Sequence, residues 1–195
     1  MARPLRPRRL GSLSAEARRE LLSIARSALA AAVRGEPEPK PVSRSPELAA
    51  KCGCFVTYKN AGRLRGCIGC FTSERPLAAT VAEYARISAT GDWRFADDPI
   101  TAGELDRIDI EISVLSPLEP IENPLDLELG VHGIYIKRGG RSGCFLPQVA
   151  TEHGMTKEQF LSECCAGKAG LAPDAWRDPK TEVSVFTAEI VAERE

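Results

Sequence analysis

The chain has 195 residues, a formal net charge of −1, 43% apolar and 27% charged residues, and 6% aromatics. That length supports one substantial core or two joined subdomains, while the near-neutral charge and sparse aromatics argue against nucleic acid and an anionic membrane as partners. No apolar run reaches the roughly 18 residues of a membrane helix, no secretory h-region follows the start, and seven cysteines form no short-chain disulfide framework, so reduced thiols in the cytoplasm are expected.

Residues 1–12, with Arg3, Arg6, Arg8 and Arg9 and no acid, read as a disordered basic tail; 13–193 read as a single domain. Ser14 predicts a helix N-cap, and Leu21, Leu22, Ile24, Ala25, Ala28, Leu29 and Ala32 recur at helical spacing as far as Gly35. The Glu36-Pro37-Glu38-Pro39-Lys40-Pro41 run then reads as a stiff extended connector. Cys54–Tyr58, a turn at Asn60-Ala61-Gly62 and Leu64–Cys70 predict a hairpin. A helix is expected over about 76–89, then a loop holding Trp93, and Thr101 with Glu104 predicts a capping box. Ile108, Ile110, Ile112 and Val114 alternate with polar residues and predict a strand with one buried face.

The second half runs in the same order. Gly133–Lys137, Gly139-Gly140 and Arg141–Leu146 predict another hairpin, Thr156 and Gln159 a second capping box, and Val183 to Ile190 one closing strand. Gly66-Cys67-Ile68 returns as Gly143-Cys144-Phe145. The fold class expected is α+β, with two unequal subdomains from a duplicated hairpin–helix–strand unit, mainly antiparallel sheet and flanking helices.

The chemistry concentrates in Leu64-Arg65-Gly66-Cys67-Ile68-Gly69. Alternation in a strand puts Arg65 and Cys67 on one face, and a guanidinium beside a thiol favours the thiolate. Gly66 and Gly69 leave room for a ligand or a second backbone. A cysteine nucleophile also wants a base, and His132 is the better of two histidines. The candidate catalytic set is therefore Cys67, His132 and Arg65. Glu111, on the polar side of its strand, is a candidate carboxylate, and Trp93, Arg94 and Phe95 a candidate rim or lid. Arg94 offers a grip on carboxylate or phosphate, or pairs with Asp92, Asp97 or Asp98. Candidate substrate-binding residues are thus Gly66, Gly69, Arg94, Trp93 and Glu111. Cys52, Cys54, Cys67 and Cys70 invite a zinc reading, but odd spacing turns Cys67 away from Cys70 and Cys52-x-Cys54 lacks knuckle spacing, so no metal is expected. Cys164-Cys165 reads as core packing. No phosphate loop, dinucleotide fingerprint or His-Glu-x-x-His is present, and no cofactor is expected.

Four stretches resemble the AMMECR family of archaea, bacteria and eukaryotes: Leu64–Gly69, Asp92-Trp93-Arg94-Phe95, Gly130-Val131-His132-Gly133-Ile134 and Phe145-Leu146-Pro147-Gln148-Val149-Ala150. The resemblance covers nearly the whole chain. One departure is Ala96-Asp97-Asp98-Pro99, where many relatives carry consecutive prolines. The resemblance implies an α+β fold of two unequal subdomains and brings no assigned reaction. It also implies two partners, a Memo-like protein and a radical-SAM protein, the AmmeMemoRadiSam set. Two readings follow: a small enzyme or enzyme subunit using Cys67 in an inter-subdomain cleft on a small-molecule substrate, or a non-catalytic binding or scaffold protein whose signature hairpin is a partner surface.

Overall fold

A computed structural model describes residues 12–194; nearly all of the basic segment assigned to 1–12 lies outside them. The elements are α1 (Ala15–Arg34), β1 (Cys54–Asn60), β2 (Arg63–Cys70), α2 (Leu77–Thr90), β3 (Ile108–Leu115), β4 (Glu119–Pro120), β5 (Gly133–Arg138), β6 (Arg141–Phe145), α3 (Pro147–Glu152), α4 (Lys157–Glu163), β7 (Glu182–Phe186) and β8 (Ala188–Ala192). They divide into two unequal units, residues 12–115 with 189–194, and residues 116–188. No helix among the described residues is long and apolar enough to cross a membrane.

In the larger unit the sheet order is β2-β1-β3-β8. The β1–β2 hairpin closes on Ala61 (φ 48°) and Gly62 (φ 80°), the left-handed pair of a two-residue turn whose twist matches the strands. Cys54, Val56 and Tyr58 on β1 stand opposite Val114, Ile112 and Ile110 on β3. All are buried together with the apolar stripes of α1 and α2. Helix α1 begins at Ser14, whose hydroxyl accepts the Ala17 N–H (3.2 Å), and stops at Gly35 in the left-handed conformation. Two of its arginines reach the C-terminal segment: Arg18 meets Glu189 at 2.6 Å, and Arg26 binds Glu193 and the Ile108 carbonyl.

Helix α2 approaches the hairpin closely because Gly66 has no side chain. A Cβ at Gly66 would lie 2.1 Å from the Ser88 carbonyl oxygen. At that separation the Ser88 hydroxyl reaches between the strands, accepting from the Ile68 N–H and donating to the Val56 carbonyl, both at 2.9 Å. Tyr58, fully buried, donates from its hydroxyl to the Ala85 carbonyl at 2.8 Å. A helix carbonyl, a serine and a tyrosine thus hold α2 to one face of the hairpin.

The smaller unit repeats the plan. Its order, β4-β7-β5-β6, reads from the hairpin outward as β6-β5-β7-β4, matching β2-β1-β3-β8. Ile134, Ile136, Val183 and Val185 pack on Phe160, Leu161, Cys164 and Trp176. Gly143 plays the part of Gly66: its Cβ would lie 2.4 Å from the Ala169 nitrogen and 2.6 Å from the Lys168 carbonyl carbon. Cys67 and Cys144 each follow the glycine that admits a helical backbone.

The single strand expected over 183–190 is two strands in different sheets. The break is at Thr187, whose N–H donates to Ser116 Oγ while its carbonyl accepts the Ser116 N–H, both at 2.9 Å. Those bonds leave no ladder partner for Thr187, and Ile190, beyond the break, is 38% exposed. Both predicted capping boxes form, with Glu104 and Gln159 reaching back to the Thr101 and Thr156 N–H groups at 3.0 and 2.8 Å.

Gly66→Ala is expected to cost about 3 kcal/mol or more, since the obstructing atom is backbone and cannot rotate away. Gly103→Ala, with nothing within 4 Å of the added carbon, is expected to stay within ~0.5 kcal/mol of wild type. Urea denaturation of the two variants checks this, and equal midpoints contradict the close-approach account.

Candidate functional site

On the sheet face opposite the helices, Cys67 stands opposite Thr57, and Thr57 opposite Glu111. The Thr57 hydroxyl donates to Cys67 Sγ at 3.1 Å. Thr57 is buried and Cys67 partly exposed. Glu111 is taken by Lys59, its carboxylate 3.0 Å from Nζ.

Strand β2 is an edge, and the backbone of Cys67 is satisfied from outside the sheet. Its N–H donates to Asp92 Oδ2 at 2.9 Å, and its carbonyl accepts from Arg94 Nη2 at 2.9 Å. Asp92 in turn accepts from Arg94 Nε (2.8 Å) and Nη2 (2.6 Å). The Asp92–Arg94 pair therefore does at Cys67 what another strand would do, which blunts an exposed edge. Because the outward N–H and carbonyl are used this way, Cys67 and Thr57 form a pair without mutual backbone bonds, in which side chains come closest. Burial pushes the Asp92 carboxyl up, but hydrogen bonds from the Arg94 guanidinium and the Cys67 amide hold it below the usual range. Arg94 is pushed up, chiefly by its bonds to Asp92 and further by Cys67.

Arg65 takes a different direction from the one alternation assigns. It is the extra residue of a β-bulge: Tyr58 pairs with Gly66 and Lys59 with Leu64, so Arg65 has no partner on β1. Its guanidinium is 4% exposed and meets Asp98 at 2.6 Å. Nη2 donates to Glu104 and to the Pro99 carbonyl, both at 3.2 Å. Nε sits 3.2 Å from Glu104 Oε1, an ion pair without hydrogen-bond alignment. The guanidinium at Cys67 is Arg94's. Arg65, Asp98 and Glu104, with Asn60 and Arg63, line a surface concavity of about 310 Å³. Glu104 is drawn down to about 2, first by the Thr101 N–H, against burial, with Asn60, the Thr101 hydroxyl and Arg65 adding to it.

Arg65, Gly66, Cys67, Gly69, Trp93, Arg94 and Glu111 all belong to the larger unit, and His132 to the smaller. His132 is buried, and its Nδ1 accepts the Glu128 N–H at 3.0 Å. The neutral ring therefore carries its proton on Nε2, which is itself buried with no partner among the described residues. Burial holds this imidazole below its usual pKa, with Glu128 and Glu119 opposing. A ring in that tautomer has no free nitrogen to take a thiol proton. Trp93 is 81% exposed. Gly69 faces Phe55 across the hairpin, and a Cβ there would meet the Cys54 carbonyl at 2.1 Å. Its missing side chain therefore admits the neighbouring strand.

Cys70 stands opposite the buried Cys54 on the helix side of the sheet, away from Cys67. Burial pushes the Cys52 thiol up to about 11 and raises those of Cys54 and Cys164 as well. Among the described residues, no group of three or more His, Cys, Asp or Glu side chains could hold a metal ion. Thr57 escaped the sequence analysis because counting back from the turn without the bulge places Cys67 opposite Val56. Asp92 was present in Asp92-Trp93-Arg94-Phe95 as an acid two residues before an arginine, the signal for their pairing.

A family model for AMMECR1 matches residues 22–191. A protein of Methanothermobacter thermautotrophicus is 43% identical over 188 residues, 93% of this chain and 96% of that protein. Protein MK0488 of Methanopyrus kandleri is 44% identical over 168 residues, 81% of this chain and 78% of that protein. The crystal structure of the uncharacterised protein PH0010 from Pyrococcus horikoshii matches with a TM-score of 0.80 at 40% identity, covering 89% of this chain and 90% of that one.

A carboxyl held low by folding stabilises the fold above its unfolded pKa and ceases to do so as pH falls through its folded value. Glu104, at about 2 when folded against an ordinary value near ~4.3, thus gives wild-type stability a fall between about pH 5 and 2. In Glu104→Gln this fall is expected to be shallower, measured by urea midpoints across that range. An unchanged slope contradicts the assignment.

Proposed function

The chain belongs to the AMMECR1 family, and from the surroundings of Cys67 we propose that it is a thiol-dependent enzyme, or the thiol-bearing subunit of one. Cys67 is its nucleophile. The observation that carries this reading is the hydrogen bond from the Thr57 hydroxyl to Sγ at 3.1 Å, beside a guanidinium held against the same residue by Asp92. The hydroxyl donates to the sulfur itself and the guanidinium to the same residue's carbonyl, so Cys67 carries both a donor and a nearby cation. The thiol proton leaves to solvent, since Cys67 is partly exposed and His132 offers no free nitrogen. The sulfur then forms a bond to an electrophilic carbon, and the displaced electron pair moves to the carbonyl oxygen or the leaving group. Arg65 acts in this reading as a positioning residue: its bulge and its two carboxylates set the register that brings Cys67 opposite Thr57.

One observation favours a second reading. Trp93 is 81% exposed next to the clamped edge strand, and an exposed tryptophan is a common anchor of protein contacts. On that reading the hairpin edge is a docking surface, and the Memo-like and radical-SAM proteins that the resemblance implies are the partners to test.

Alkylation of Cys67 by iodoacetamide at pH 7, followed by peptide mass mapping, separates the two. Thr57→Val and Arg94→Gln are each expected to slow labelling about three- to tenfold, the worth of one hydrogen bond of ~0.7–1.4 kcal/mol. Wild-type rates in both folded variants contradict the thiol reading and leave the docking surface.

A further inference from the structure

The inference below rests on the thiol reading and concerns what Cys67 would act on. A guanidinium has five N–H donors in a fixed fork. In Arg94, Nε and Nη2 face Asp92, at 2.8 and 2.6 Å, and Nη2 also serves the Cys67 carbonyl at 2.9 Å. Nη1 has no acceptor among the described residues. The side chain is 41% exposed, whereas Asp92, which orients it, is 2% exposed. The Phe95 ring lies 5.6 Å from the guanidinium carbon. One edge of the guanidinium is therefore locked, and the unused nitrogen shares its carbon with the one that serves the Cys67 carbonyl.

The surrounding acids do not compete for that nitrogen. Glu111 is paired with Lys59 at 3.0 Å, and Asp98 with Arg63 and Arg65 at 3.0 and 2.6 Å. Glu104 binds Asn60 at 3.1 Å and pairs with Arg65. What the surroundings of Cys67 leave unmatched is a pair of donors on a cation. A thiolate repels an anionic reactant, and a cation fixed on the Cys67 carbonyl offsets that repulsion while orienting the reactant.

We propose that the site takes electrophiles bearing an anionic oxygen, of a carboxylate or a phosphoryl group, next to the reacting carbon, and that Arg94 Nη1 is the donor that selects them. Arg94 is then a specificity-determining residue as well as the backbone clamp of Cys67. The group it grips adjoins the bond that the sulfur attacks.

Iodoacetate and iodoacetamide test this, because they differ in charge and hardly in size. With each, the sulfur bonds to the methylene carbon and iodide leaves with the electron pair. The ratio of their rates at Cys67 in the full chain, read by peptide mass mapping, divides out the fraction of thiolate. It is compared with the same ratio for N-acetylcysteinamide. The wild-type ratio is expected about five- to tenfold above that of the free thiol, the effect of one charge-assisted hydrogen bond. Arg94→Gln is expected to return it to the free-thiol value, and Arg94→Lys, which keeps the charge, to retain part of it. A wild-type ratio equal to the free thiol's overturns the proposal and leaves the thiol reading standing. A Cys67 inert to both reagents overturns the thiol reading and this proposal with it. Competition needs no variant: slowing of the iodoacetamide reaction by acetate assigns a carboxylate, and slowing by inorganic phosphate a phosphoryl group. Slowing by neither counts against the proposal.

Discussion

One carboxylate, that of Asp92, organises the surroundings of Cys67. It accepts the Cys67 N–H and binds Arg94 through Nε and Nη2, while itself 2% exposed. A buried charge is tolerable only when paired and hydrogen-bonded, and removing its partner leaves it uncompensated. Asp92 and Arg94 therefore hold each other in place. The Arg94 nitrogen left over and the satisfied edge of β2 at Cys67 both follow from that pair.

The scaffold beneath it depends on two missing side chains. At Gly66 and Gly143 the backbone of the following helical segment comes within what would be 2.1 and 2.4 Å of a Cβ, so neither position admits a side chain without moving a helix. The two hairpins diverge at the bulge. The second runs in plain register from Arg138–Arg141 to Tyr135–Cys144, whereas the first carries Arg65 as an additional residue. That residue turns a guanidinium toward Asp98 and Glu104 and advances Cys67 by one step against β1. Cys67 consequently meets a threonine hydroxyl, whereas Cys144 stands opposite Tyr135.

Most of the fold was legible in the sequence, because helix caps, turn glycines and alternating strands are local signals. Ser14 and Gly35 bound α1, and Gly62 and Gly139 close the hairpins; the three glycines adopt the left-handed conformation that few other residues favour. The split between β7 and β8 was not legible. It depends on a long-range bond pair between Ser116 and Thr187, and no local pattern reports that. The site was partly legible for the same reason. Cys67 and Arg94 stood out by residue type, and Asp92 by its place two residues before an arginine. Which arginine attends the thiol turned on a bulge, and alternation cannot detect a single inserted residue. The tautomer of His132 turned on the Glu128 amide, four residues away across a tight turn.

Cys67 is set apart from the other thiols by its surroundings and not by exposure alone. Cys70 and Cys144 are also partly exposed, while Cys52, Cys54, Cys164 and Cys165 are buried, with burial pushing their thiols up. Competitive isotope-coded alkylation of all seven cysteines in the folded protein at neutral pH therefore tests the central claim most directly. Cys67 is expected to label first, clearly ahead of Cys70 and Cys144, with the four buried thiols last. Labelling of Cys67 no faster than Cys70 and Cys144 would contradict the account, because exposure alone would then explain its reactivity.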